Sequence, residues 1–113
     1  MNGLGKPDAD STGMKLTRRD IEDGLDYVRR TIANMETVDL ANLADDAEFR
    51  EQYAEAALDL IKVMTALDRA RLTNEQRATL QALVRRHNRC ASDLAREVLA
   101  YWSEQANRPH ALN

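Results

Sequence analysis

The stretch that decides the fold is Asp45–Arg71, DDAEFREQYAEAALDLIKVMTALDRAR. Phe49, Tyr53, Ala56, Leu60, Val63, Met64 and Leu67 recur there at steps of three and four, a spacing that predicts one continuous helix. A second apolar row, Ala54, Leu58 and Ile61, lies to one side of the first. At about 100° per residue the two rows sweep roughly 200° of the helix surface, about twice the arc of a one-sided surface helix. Such a helix has to be covered from two directions, and two short neighbours from a 113-residue chain do not supply the second cover. A homodimer is therefore expected, with Ala54, Leu58 and Ile61 in its interface and Leu60 and Met64 facing the intrachain core.

Working outward from this helix, the segment before it divides in two. Thr17 followed by Asp20 is an N-terminal capping pattern, and Leu16 with Ile21 flank it as a hydrophobic staple. The row Ile21, Leu25, Val28, Ile32 and Met35 then predicts a first helix over 17–36, with Gly24 inside it either where a neighbouring helix approaches closely or as a tolerated exposed glycine. Between the two helices, Val38, Leu40 and Leu43 make 37–44 a short connection, with room for a helical turn of its own, too apolar for a solvated loop, that folds back onto the core. Asp45, with Glu48 three residues on, reads as the cap of the central helix.

After the central helix, Thr73 and Gln76 form another capping-box pattern. The row Leu80, Leu83, Val84, His87, Ala91, Leu94, Val98, Tyr101 and Trp102 carries a third helix to about residue 106, ahead of Arg108-Pro109. Its last turns are expected to overhang the shorter central helix. The fold class is thus all-α, an antiparallel bundle of three main helices near 17–36, 45–71 and 73–106. Residues 16–107 form one domain. Residues 1–15, which hold three of the four glycines and no apolar period, are expected to be a disordered tail, and 108–113 a C-terminal tail.

Composition narrows the function by exclusion. Apolar residues make up 43% and charged residues 31%, which suits a helical soluble protein. One cysteine leaves no intrachain disulfide, and no basic segment followed by an apolar run marks a signal peptide, so the expected location is the cytoplasm. Two histidines and one cysteine do not make a metal site; His87 and Cys90, three apart on one helix, read as a packed histidine beside a small buried thiol. No glycine-rich phosphate loop or nucleophile–base arrangement is visible. No enzyme, cofactor or metal is expected.

The net charge of −3 is unevenly spread. Asp20–Asp59 holds twelve acidic residues against three arginines, a net of −9, while Arg69–Arg96 holds seven arginines against two acidic residues, a net of +5. The cluster Arg85, Arg86 and Arg89, with Arg77 and Arg96, raises nucleic-acid binding. The acidic first half and the sequence pI of about 5.4 oppose it, and a solvated or intersubunit salt-bridged face accounts for the arginines better. Tyr101 and Trp102 near the end of the long helix are either the last layer of the core or an anchor for a partner.

Within YAEAALDLIKVMTAL, Tyr53, Glu55, Ala56, Met64, Ala66 and Leu67 fall at a spacing that resembles a helix of the TraM-type quorum-sensing anti-activators. The order of a shorter leading helix and two longer ones is similar to that of these small helical proteins. The arginine-rich third helix departs from the pattern, so no binding residue is carried over from it. The resemblance implies a cytoplasmic α-helical protein that dimerises through long antiparallel helices. It also implies one that binds a LuxR-type transcriptional activator such as LasR and blocks its dimerisation and DNA binding, without catalysis. A phage- or plasmid-type inhibitor of another machine and a small nucleic-acid-binding module are the alternatives. From the residues themselves, the expected partner contacts are Tyr101 and Trp102, with Arg85 and Arg89 as rim charges.

Overall fold

Thr17 starts the first helix by exchanging hydrogen bonds with Asp20. The Asp20 backbone N–H donates to Thr17 Oγ1 at 3.0 Å, and the Thr17 backbone N–H donates to Asp20 Oδ2 at 3.0 Å. Two of the four N–H groups that a helix start leaves unpaired are thereby satisfied. These bonds hold the Asp20 carboxyl below its ordinary range, the bond from the Thr17 backbone most of all. Helix α1 (Arg18–Glu36) buries Ile21, Leu25, Val28, Ile32 and Met35, the row its spacing predicts.

The computed structural model describes residues 16–107, so the expected tails at 1–15 and 108–113 lie outside the described residues. The described chain is all helical and carries four helices, α1, α2 (Leu40–Asp45), α3 (Ala47–Arg69) and α4 (Asn74–Asn107). Helix α2 arises within the segment read as a connection. Asp39 caps it, its Oδ1 accepting from the N–H groups of Ala41 and Asn42 at 2.9 and 3.3 Å, and Leu43 and Ala44 are buried.

The cap of α3 is one residue later than expected. Asp46, not Asp45, accepts from the Glu48 and Phe49 N–H groups, at 3.0 and 3.1 Å. Asp45 ends α2 and uses its carboxylate elsewhere, accepting from the Tyr101 hydroxyl at 2.7 Å. Thr73 and Gln76 form the predicted capping box of α4, with both reciprocal bonds between 2.9 and 3.0 Å.

At 1.5 Å per residue α4 is about 50 Å long and α3 about 35 Å. Tyr101 and Trp102 nevertheless do not overhang, because α2 lies beneath them. The Trp102 Nε1–H donates to the Ala44 carbonyl at 2.9 Å. Arg77 Nη1, near the start of α4, donates to Asp68 near the end of α3 at 3.3 Å. At the other end the Arg50 guanidinium of α3 stands 5.7 Å from the Trp102 ring centroid. Helices α3 and α4 therefore run in opposite directions.

Helix α1 packs against both. The main cluster combines its apolar row with Leu60, Met64 and Leu67 of α3 and Leu80, Leu83 and Cys90 of α4. Gly24 permits this approach, since a Cβ placed there would stand 3.1 Å from Leu67 Cδ2 and 3.4 Å from Cδ1. Leu67 is fully buried and has no room to retreat. Gly24→Val should therefore destabilise the fold by about 2 kcal/mol despite removing a helix-interior glycine, because overpacking outweighs the propensity gain. Thermal unfolding followed by circular dichroism measures this, and an unchanged or raised midpoint would contradict the close approach.

Candidate functional site

The described molecule spans 70 by 30 by 16 Å, and the last figure fits two layers of helices at the usual 8–10 Å spacing. Helix α1 covers one side of the α3–α4 pair. The other side is open, and between α3 and α4 runs a groove of about 850 Å³. Met35 of α1 and Leu43 of α2 contribute to its lining from behind, and its walls are mostly apolar and small. Helix α3 supplies Ala54, Ala57 and Ile61 to them, and α4 supplies Ala91, Ala95 and Leu99.

The four exposed large apolar side chains among the described residues all belong to this face of α3 and α4. Leu58 is 54% exposed, Ile61 44%, Leu99 59% and Trp102 41%. Leu60 and Met64, by contrast, are in the core. The predicted division of α3 into a core row and an outer row is thus present, and the outer row Ala54, Leu58 and Ile61 is uncovered. Ala56, placed in the core row by its spacing, is exposed.

Charge enters the groove at one end only, through Arg50 and Glu51. Arg50 is held from behind: its Nη1 donates to the Leu43 and Ala44 carbonyls at 3.2 and 2.7 Å, while its guanidinium faces the Trp102 ring. The indole is therefore fixed by its N–H on one edge and by a cation on its face. Tyr53 lines the middle of the groove, and burial pushes its phenol up to about 12. His87, 7% exposed, lines it too, and its Nδ1 is buried without a hydrogen-bond partner.

The four expected partner contacts do not form one patch. Trp102 lines the groove, and Tyr101 is half-buried beside α2. Arg85 and Arg89 are exposed, and by helical rotation they lie roughly 100–140° around α4 from Trp102. Arg89 borders a separate cleft with Glu36 and Asp93. The arginine cluster is also partly neutralised from within. Arg86 donates twice to Glu36, at 2.7 and 2.8 Å, fastening the end of α1 to α4, and the contact holds the Glu36 carboxyl below its usual range. Arg77 pairs with Asp68 and Arg96 with Asp93.

Cys90 is buried, and burial pushes its thiol up, which disfavours the nucleophilic thiolate. Among the described residues no group of three or more His, Cys, Asp or Glu is placed to hold a metal. No described helix is long and apolar enough to cross a membrane.

Reasoning from the sequence missed Arg50, Ala95 and Leu99. The signal for the last two was present: Ala91, Ala95, Leu99 and Trp102 form a second apolar row on α4, the counterpart of Ala54, Leu58 and Ile61 on α3. No protein-family model, curated protein or solved structure matches this chain.

Proposed function

We propose that the protein works by binding other protein chains, as a non-catalytic, homodimeric inhibitor. One observation carries this reading: the apolar rows of α3 and α4 meet in an open groove flanked by Leu58, Ile61, Leu99 and Trp102. An uncovered apolar patch spread over two helices is the mark of an interaction surface, not of a finished monomer surface. Ala54, Leu58 and Ile61 supply the dimer contacts. Tyr101 and Trp102 supply the aromatic contact to the partner, with Arg85 and Arg89 as charges further along α4.

The target that the TraM-type resemblance suggests is a LuxR-type transcriptional activator in the cytoplasm, kept from dimerising and from holding its promoter. An inhibitor of this kind has to offer apolar area comparable to the surface it displaces, and no catalytic group. The exposed rows support such a role. The arginines of α4 support nucleic-acid binding poorly, because Arg77, Arg86 and Arg96 are already engaged by carboxylates.

The test is a titration of an activator–promoter complex with the purified protein, the activator having been captured from the native lysate. Near-stoichiometric loss of the DNA-bound complex is expected. Unchanged promoter occupancy at tenfold excess, or direct binding of the protein to the DNA, would overturn the reading.

A further inference from the structure

We propose that a second copy of this chain lies antiparallel along α3, in a register centred between Leu58 and Ile61. The inference rests on the homodimeric protein-binding reading above, and adds the direction and register in which the two chains align.

The outward surface of α3 is charged asymmetrically about that centre. On either side of the exposed Asp59 near the centre, Glu48, Glu51 and Glu55 come before and Lys62 and Arg69 after. All five flanking residues are exposed, and none has an ion-pair partner within the described residues. Elsewhere some charges are ion-paired within the described residues and others, such as Arg85 and Arg89, are not. Arg18, Arg30, Arg77 and Arg86 each meet a carboxylate, across helices as well as along them. On α3, instead, Glu51 and Glu55 stand four apart on one face, a like-charge spacing that destabilises a helix unless something answers it.

A second α3 running the opposite way answers Glu51 and Glu55. With a two-fold axis between Leu58 and Ile61, Leu58 meets the second copy's Ile61 and Ala54 meets its Thr65. Within one or two residues of that register, in reach of long side chains, Glu55 comes beside the second copy's Lys62 and Glu51 beside its Arg69. By symmetry each contact is made twice, which is the self-complementarity that an isologous interface requires. A parallel alignment would set glutamate against glutamate.

The groove accepts this occupant. Ala57, Ala91 and Ala95 leave space on its walls for the ridge of another helix, and Leu99 flanks that ridge on the α4 side. His87 and Ile61 both line the groove, which brings the unpartnered Nδ1 of His87 under the covering helix near the middle of the interface. The outward face of α1 offers no comparable ridge, since Arg18, Glu22, Asp26 and Arg30 occupy it in paired, exposed positions.

Charge reversal on the full chain tests the register by sedimentation equilibrium, with circular dichroism checking that helix content is kept. The wild type should be dimeric at micromolar concentration. Glu51→Lys with Glu55→Lys should weaken the dimer at least tenfold, and so should Lys62→Glu with Arg69→Glu. An equimolar mixture of the two variants should recover the wild-type association as a heterodimer. A wild-type dimer that ignores both reversals, or variants that fail to rescue each other, would overturn the register and leave the protein-binding reading intact. A wild type that is monomeric, or that associates only with an unrelated protein, would overturn the second copy as occupant. The promoter titration decides the inhibitor reading separately.

Discussion

Leu60→Ala should lower the free energy of unfolding by about 3–4 kcal/mol, the largest single loss expected from a side chain of α3. Leu60 has no exposed surface and sits in the cluster shared by all three long helices. Truncation there removes the transfer energy of one methine and two methyl carbons and leaves a cavity that three packed helices cannot close. Since domains of this size are stable by roughly 5–15 kcal/mol, the variant should sit near the edge of folding. Leu58→Ala, two residues earlier and 54% exposed, should cost less than about 1 kcal/mol in the isolated chain. Urea unfolding at a concentration too low for self-association compares the two, because association would stabilise the folded state by mass action. Equal losses at the two positions would mean that α3 has been turned about its axis.

Ile61→Asp should abolish self-association at micromolar concentration while leaving the helix content of the chain unchanged. The side chain is 44% exposed in the single chain, so a carboxylate there remains hydrated when the chain is alone. Covered by a second helix, the same carboxylate would lose its water with no cation placed to receive it, a cost of several kcal/mol against an interface free energy of roughly 8 kcal/mol at micromolar affinity. Light scattering reads the association and circular dichroism reads the fold. A dimer of wild-type affinity in this variant would remove Ile61 from the interface. A loss of helix along with the dimer would show that Ile61 supports the single chain after all.

Much of the helical frame was legible from short-range chemistry. The pairs Thr17–Asp20 and Thr73–Gln76 mark helix starts because each depends only on residues three apart. The separation of Leu60 and Met64 from Leu58 and Ile61 follows from the helical period alone. What escaped depends on relations that no local window contains. Two adjacent aspartates compete for one cap, and Asp46 wins while Asp45 is drawn to Tyr101, 56 positions away. The stretch 40–45 is too short for a period to show, so the sequence allows a helical turn there without bounding it, and Asp39 alone signals its start. The groove is harder still, because its walls belong to separate helices and its opening depends on α1 covering only one side of them. Arg50 gave no sign of its role, for its partners are backbone carbonyls of α2.

The apolar interior is divided in two. Twelve buried residues form the cluster around α1, whereas Leu43, Ala44 and Val98 alone form a second one where α2 meets the far end of α4. So small a cluster is held by little buried area, and elements of that kind open at lower free energy than the rest of the protein. Amide hydrogens of α2 and of the last turns of α4 should thus exchange with solvent well before those around Val28 and Leu60. The sole tryptophan of the chain, Trp102, stands within this weaker unit, its indole bonded to Ala44. Its fluorescence is consequently a gauge of end-fraying, and a denaturation curve recorded from it would report a midpoint below that of the whole fold.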